Sequence, residues 1–307
     1  MSTALDLALL AFLSDELGVV DLQYRPGDEP KVLTGGNSAK LYRFTLSAAP
    51  QPFDGPLVLR LIRNTSHERA ARELEAQQAA ANAGYPTPSV LLKGDASAGL
   101  SSPFSVMRAV AGRTPLAAAG IVGLPRLFRE IPDMLATAMS QLHSLPIDFA
   151  DGVDDLLNDI TDPDVLSWLE TRRPSGYERV LCHGDLHGEN LLVADGEIAA
   201  VLDWELACGG PRELDIARTS LILAVLPGIS RPATRLLARA AARSARRFED
   251  SYRQTHAIDD DMLAWFDVAH CARALNLAMG HGSVADVWRP TIPALKARLA
   301  TRMASYR

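Results

Sequence analysis

The sequence predicts an α+β protein of two parts, a strand-rich first third carrying one main helix and a longer, mostly helical remainder. Short β-type runs broken by glycine and proline fill the chain before Gly112. Runs with helical periodicity fill most of it after Leu124. At 307 residues the chain also exceeds the usual single core, so one large domain or two packed lobes are expected, and either can bury an enclosed site. The break at Ala111-Gly112 divides it into residues 1–110 and 111–307.

In the first part, Ala4 to Leu13 reads as an apolar opening helix. It carries Asp6, lacks a basic leader and runs into Ser14-Asp15-Glu16, so it is not expected to be a secretory signal. Val19 to Tyr24 is a short strand broken by Pro26-Gly27-Asp28. Lys31 to Thr34, Gly35-Gly36-Asn37-Ser38 and Lys40 to Leu46 form strand, glycine turn and strand. Leu57 to Ile62 has the form of a buried strand. His67 to Ala83, rich in Ala, Glu, Gln and Arg, is a helix stopped by Gly84 ahead of Pro86 and Pro88. Val90 to Leu92 and Phe104 to Met107 complete the strands.

In the second part the helical patterns are Arg126 to His143, Val165 to Glu170, Arg212 to Leu226, Pro232 to Tyr252, Met262 to Met279 and Ile292 to Ser305. Arg179 to Leu202 interrupts them with short β-like runs around the hairpin-turn dipeptide Asp195-Gly196.

A net charge of -6 argues against broad nucleic-acid binding, which needs a basic face to neutralise phosphates. The arginines at 235, 239, 243, 246 and 247 fall at helical spacing and read as a solvated stripe. Cys182, Cys208 and Cys271 include no C-x-x-C pair, so neither a disulfide framework nor a zinc knuckle is indicated and a reducing cytoplasm fits. No stretch approaches the roughly 20 uncharged apolar residues of a membrane span.

The chemistry concentrates in Cys182-His183-Gly184-Asp185-Leu186-His187-Gly188-Glu189-Asn190, followed across the hairpin by Asp203-Trp204-Glu205. Phosphoryl transfer needs one carboxylate near an attacking hydroxyl and oxygen ligands holding magnesium between phosphates. Asp185 supplies the first; Asn190 and Asp203 supply the second. Two other readings use the same residues: a capped turn at a strand end, or a metal-dependent hydrolase ligated by His183, Asp185, His187 and Asp203.

The loop His183-Gly184-Asp185-Leu186-His187 with Asn190, then Asp203-Trp204-Glu205, resembles the catalytic loop of the aminoglycoside phosphotransferase and choline kinase group. The resemblance implies the two-lobed protein-kinase-like fold, a small antiparallel-sheet N-lobe and a larger helical C-lobe. It implies Asp185 as catalytic base, Asn190 and Asp203 as Mg2+ ligands, and His183 and His187 as residues that hold the loop. Asp215, at a helix start after Gly209-Gly210-Pro211, is implied to brace the same loop; a plain helix N-terminal acid is the competing reading.

On the nucleotide side, Gly35, Gly36, Asn37 and Ser38 stand where the family's phosphate-covering turn belongs, although they depart from both the Walker and the full protein-kinase glycine patterns. Arg60 stands where family members place a lysine on the phosphates, with Glu73 as its helix partner and Glu75 as runner-up. Strand alternation puts Arg60 on one face with Val58 and Ile62, and Arg63 on the other. Phe104 to Gly112 looks like the family's hinge, which implies Met107 behind the base and backbone groups of Arg108 and Val110 on its edge. ATP and GTP are both open as co-substrate.

The acceptor is expected to be a small molecule held by the C-terminal helices. Aminoglycoside, macrolide, choline-like and sugar-like acceptors all remain open. Asp259-Asp260-Asp261 either attracts a cation or, more simply, caps the helix beginning near Met262. Trp265, Phe266, His270, His281 and Trp288 either line a pocket or belong to the core. The loss of lysine at position 60 is the one feature that favours a nucleotide-binding protein without turnover.

Overall fold

Alternating leucines explain the first unit, Met1–Ala111. In the computed structural model, which describes residues 3–33, 39–62, 67–96, 99–100, 102–119, 124–225 and 235–306, the unit opens with helix α1 (Thr3–Leu17). Strands β1 (Gln23–Tyr24), β2 (Lys31–Leu33), β3 (Ala39–Ser47) and β4 (Pro56–Ile62) follow. Helix α2 (His67–Asn82) then leads to β5 (Val90–Gly94) and β6 (Phe104–Arg108). The sheet runs in the order β1-β3-β4-β6-β5 with β2 paired to β3, and every pairing is antiparallel.

Leu57, Leu59 and Leu61 of β4 join Phe44, Leu46, Phe104 and Val106 and the α1 residues Leu9 and Leu13 in one buried cluster. Each fully buried leucine there contributes roughly 1.5–3 kcal/mol. The opposite face of β4 carries Arg60 and Ile62, and Ile62 meets Ala70 and Leu74 of α2. Arg60 is thus held on the α2 side of the sheet by the two-residue period of the strand.

The second unit, Gly112–Arg307, is built on helices. In order these are α3 (Pro115–Ala119), α4 (Leu124–His143), α5 (Val153–Asn158) and α6 (Pro163–Thr171), then α7 (Arg212–Val225), α8 (Arg235–Arg253), α9 (Asp260–Met279), α10 (Ser283–Trp288) and α11 (Ile292–Ser305). Helix α4 lies against α8, α7 against α8 and α9, and α9 against α11. Between α6 and α7 lie β7 (Val180–Cys182), a short 3-10 turn (Gly188–Asn190), β8 (Leu191–Ala194), β9 (Glu197–Val201) and β10 (Cys208–Gly210). β8 and β9 pair through Asp195 and Gly196, whose φ angles of 53° and 86° are those the sharp turn demands. Among the described residues no helix is long and apolar enough to cross a membrane.

The elements depart from the sequence-based expectation at particular places. The strand over Val19 to Tyr24 shortens to Gln23–Tyr24 because Asp21 takes a left-handed φ of 60°. Helices α5 and α10 span only six residues each, too few to show a period. Strand β10 carries two glycines that no propensity marks as β, yet Gly209 pairs with Leu181, and any side chain there would run into the Phe149 carbonyl.

Candidate active site

The loop after β7 is fastened from beneath by one carboxylate. Asp215, fully buried in the first turn of α7, accepts hydrogen bonds from the backbone N–H groups of His183 (2.7 Å) and Gly184 (2.6 Å). His143 of α4 approaches the same carboxylate with Nε2 at 3.1 Å, and its Nδ1 meets the Tyr252 hydroxyl at 2.7 Å. Burial alone would raise the Asp215 pKa; the hydrogen bond and charge of His143, with the amide bond from His183, hold it below the ordinary value instead.

Gly184 lets the chain turn at this point. Its φ is 78°, and a Cβ would run into the Leu206 carbonyl oxygen. Gly184→Ala is therefore expected to lose about 1–3 kcal/mol of stability through strain, together with turnover, measured by thermal unfolding and phosphate transfer.

The two histidines of the loop spend both ring nitrogens on it. His183 Nδ1 accepts from the Asp185 N–H at 3.3 Å, which leaves Nε2 to donate to the Leu202 carbonyl at 3.0 Å. Burial lowers the His183 pKa, so the ring is neutral near pH 7. His187 Nδ1 accepts from the Glu189 N–H at 3.2 Å and starts the turn that carries Asn190.

Asn190 donates from Nδ2 to the Asp185 carbonyl at 2.9 Å. A carbonyl only accepts, so this bond fixes which end of the amide is nitrogen and leaves the oxygen end as an acceptor that could hold a hard cation. The Asn190 carbonyl in turn receives the Leu202 N–H at 2.8 Å, so the strand returning from the hairpin ends beside Asn190. The next residue is Asp203, with φ of 65°, a left-handed backbone stored at a non-glycine position. Fully buried Trp204 packs on the His183 ring at 4.9 Å and fixes the turn from its other side.

Asp185 has a partner that sequence reasoning did not find. Arg218, one turn beyond Asp215 on α7, places Nε and a terminal nitrogen each 2.9 Å from Asp185 Oδ1. Burial would raise the Asp185 pKa, but the Arg218 charge and the His187 hydrogen bond bring it well below the carboxylate range, so the group is ionised. His143 was likewise missed. Nothing in a helical run singles out which polar residue faces a loop many tens of positions away.

In the first unit, Arg60 and Glu73 are both buried and form an ion pair, while Glu75 lies on the exposed face of α2. Arg60 sits in mid-sheet, opposite Leu41 and Ser105. Met107 is buried with Gln77 Nε2 at 3.5 Å from its sulfur, and the Arg108 side chain pairs with Asp54 at 3.0 Å. Val110 follows β6, half-buried. Gly35, Gly36, Asn37 and Ser38 lie outside the described residues.

The remaining candidates resolve toward architecture. Asp259 caps α9, accepting from Asp261 N–H and Met262 N–H at 3.0 Å each, and Asp260 pairs with Arg253. Trp265 and Phe266 are fully buried, His270 bonds the Leu214 carbonyl at 2.9 Å, and Trp288 is buried, whereas His281 is exposed. Arg239, Arg243, Arg246 and Arg247 are exposed along α8. Among the described residues, three metal-ligating side chains converge at His143, Cys182 and Asp215, not at the set the hydrolase reading needs. That trio is buried and its carboxylate is already committed to backbone amides.

The antiparallel-sheet first unit and the helical second unit give an α+β, protein-kinase-like fold, with Asp185 held by Arg218 through its side chain and by Asn190 through its carbonyl. A family model described as "Phosphotransferase enzyme family" matches residues 29–256. The chain belongs to that family and is a phosphotransferase with an alcohol group as acceptor.

Solved structures carry the same fold. An aminoglycoside phosphotransferase candidate from Ralstonia eutropha JMP134 aligns with a TM-score of 0.66 at 16% identity, covering 98% of each chain. A Plasmodium vivax ethanolamine kinase aligns at 0.62 with 11% identity over 96% of this chain and 89% of that one. A thermostable mutant of aminoglycoside phosphotransferase APH(4)-Ia aligns at 0.60 with 18% identity over 96% and 98%.

Proposed function

We propose that this small-molecule kinase transfers the γ-phosphoryl group of ATP or GTP to a hydroxyl of an aminoglycoside-, macrolide-, choline- or sugar-like acceptor, with Mg2+. The observation that carries the proposal is the loop geometry. An ionised Asp185 has its side chain clamped by Arg218 and its carbonyl by Asn190, and Asp203, with a left-handed backbone, comes directly after Leu202, whose N–H bonds the Asn190 carbonyl.

Asp185 orients the acceptor hydroxyl and takes its proton as the new O–P bond forms and the bond to the β-phosphate oxygen breaks, releasing ADP or GDP. Its depressed pKa suits orientation first and proton acceptance late, since the hydroxyl becomes acidic only as its bond to phosphorus develops. The Asn190 amide oxygen and the Asp203 carboxylate fit a magnesium ion, which prefers few protein oxygens and keeps the rest for phosphate and water. When bound, the ion supplies neutralisation of the charge that builds between the phosphates.

Arg60, steadied by Glu73, takes the place of the family's lysine on the α- and β-phosphates. Its planar fork favours two-point contact with phosphate oxygens. Gly35 to Ser38 cover the phosphates, Met107 lies behind the base, and backbone groups of Arg108 and Val110 read its edge. Neighbouring structures with ADP or AMP-PNP and hygromycin B support a nucleotide and a small-molecule acceptor as partners. All three cysteines are free, which supports a reducing compartment such as the cytoplasm.

The test is transfer of labelled γ-phosphate from ATP or GTP to a panel of amino sugars, macrolides, amino alcohols and simple sugars. Turnover is expected to require magnesium, to vanish with EDTA and to return when the ion is added back. Nucleotide binding with no transfer to any acceptor or to water would reduce the chain to a kinase-like binding protein.

A further inference from the structure

We infer that Arg218 is a positioning residue for the transfer: it clamps Asp185 Oδ1 so that Oδ2 is the oxygen presented to the acceptor hydroxyl. The inference rests on the kinase reading above and adds a residue and an atom to it.

One turn of α7 serves both parts of the loop. Asp215 holds the backbone of His183 and Gly184, and three residues on, the same helix face presents Arg218 to the side chain of Asp185. Thr219 then donates its hydroxyl to the Leu186 carbonyl at 2.7 Å. Residues 183 to 186 are thereby tied to a single rigid element, with the carboxylate of Asp185 as the part that Arg218 alone of the three holds.

The two contacts from Arg218 converge on one oxygen. Nε donates a hydrogen bond to Oδ1 at 2.9 Å, and one terminal nitrogen lies in ion-pair contact with the same oxygen at 2.9 Å, so the guanidinium is directed at Oδ1. Oδ2 is met by His187 Nε2 at 3.5 Å, a long hydrogen bond that leaves this oxygen a further lone pair. The carboxylate is therefore held asymmetrically, with Oδ1 gripped closely by the guanidinium and Oδ2 able to accept from a hydroxyl.

Arg218 is itself fixed. It is 5% exposed, its guanidinium stands 5.0 Å from the centroid of the Trp288 ring, and its remaining terminal nitrogen has no partner. A guanidinium this deep is costly unless paired, and Asp185 is the pairing the geometry provides. A fork locked between an aromatic face and one carboxylate oxygen transmits its orientation to that carboxylate; a lysine, with a single mobile ammonium, does so less well.

The experiment measures phosphate release from ATP and GTP with water as acceptor, alongside transfer to the acceptor panel, for wild type, Arg218→Lys, Arg218→Gly, Asp185→Asn and the Arg218→Gly/Asp185→Asn pair. Misplacing the base is expected to lower kcat about 10²-fold in Arg218→Gly. The nucleotide KM stays near the wild-type value, because ground-state nucleotide contacts are untouched. Lysine retains more activity than glycine, millimolar guanidinium partly restores Arg218→Gly, and the double variant is no slower than Asp185→Asn. A lowered melting temperature with unchanged kcat assigns Arg218 to stability and overturns the inference, as does a rise in KM matching the fall in kcat, or losses that multiply in the double variant. A wild type that transfers phosphate to nothing, water included, instead fails the kinase reading and takes the inference with it.

Discussion

Asp185→Asn is expected to give a folded protein that still binds nucleotide but transfers phosphate about 10²–10⁴-fold more slowly, the usual span for removing a general base. Asparagine keeps an oxygen where Arg218 donates, so the clamp on Oδ1 survives in weakened form. What disappears is the anionic oxygen at Oδ2. Asp185→Ala removes both and leaves the Arg218 guanidinium buried without its carboxylate, a loss of about 3–5 kcal/mol on top of the kinetic effect. Comparing the two variants by thermal unfolding and single-turnover transfer separates chemistry from architecture. Equal kcat in wild type and Asp185→Asn, with both folded, would remove Asp185 from the reaction.

The parts of the site visible in the sequence are those carried by short spans of chain. His183 to Asn190 is one loop, and Asp203 follows it across a hairpin whose turn dipeptide is itself diagnostic, so spacing brings them near each other without tertiary information. The Arg60–Glu73 ion pair was legible through the family resemblance, which set Arg60 by its strand position and Glu73 by its distance before Pro86; helix geometry then explains why Glu75 is excluded, since it stands about 200° around α2 from Glu73 on the exposed face. Arg218 and His143 were not legible. Arg218 reaches the loop directly from α7 and His143 reaches it from α4 only through Asp215, and within its own run each reads as a residue of ordinary helical sequence. Their identification needs the rotation of α7 and α4 about their axes, which apolar periodicity fixes too loosely to choose a single side chain. The strand of Cys208–Gly210 was hidden for the opposite reason, since close backbone approach selected glycines that carry no strand signal.

Asp215 is where that long-range support predicts a second large effect. Asp215→Ala strands the His183 and Gly184 amides and the His143 ring nitrogen in a dry interior, each at about 1–3 kcal/mol if left unsatisfied. A total on the order of 4 kcal/mol corresponds to a fall of roughly 10 °C in Tm for a protein of this size. Unlike at Asp185, asparagine is no remedy here: its NH2 would face one of the donors, so Asp215→Asn should also fall, by less. The carboxylate also has a pH signature. Its folded pKa lies below the ordinary value, so between that pKa and the unfolded one near 3.9 the unfolded chain binds more protons. Its contribution is therefore fully present above about pH 5 and is lost as pH falls through the folded pKa. Urea unfolding of wild type and Asp215→Asn over a pH series checks this: the gap in stability should be flat near neutrality and narrow below about pH 4. A gap that stays constant into acid would mean that the charge of Asp215 does not hold the loop. Where the gap does narrow, turnover at neutral pH should already be lost in Asp215→Asn, because the amides it releases belong to the two residues immediately before Asp185.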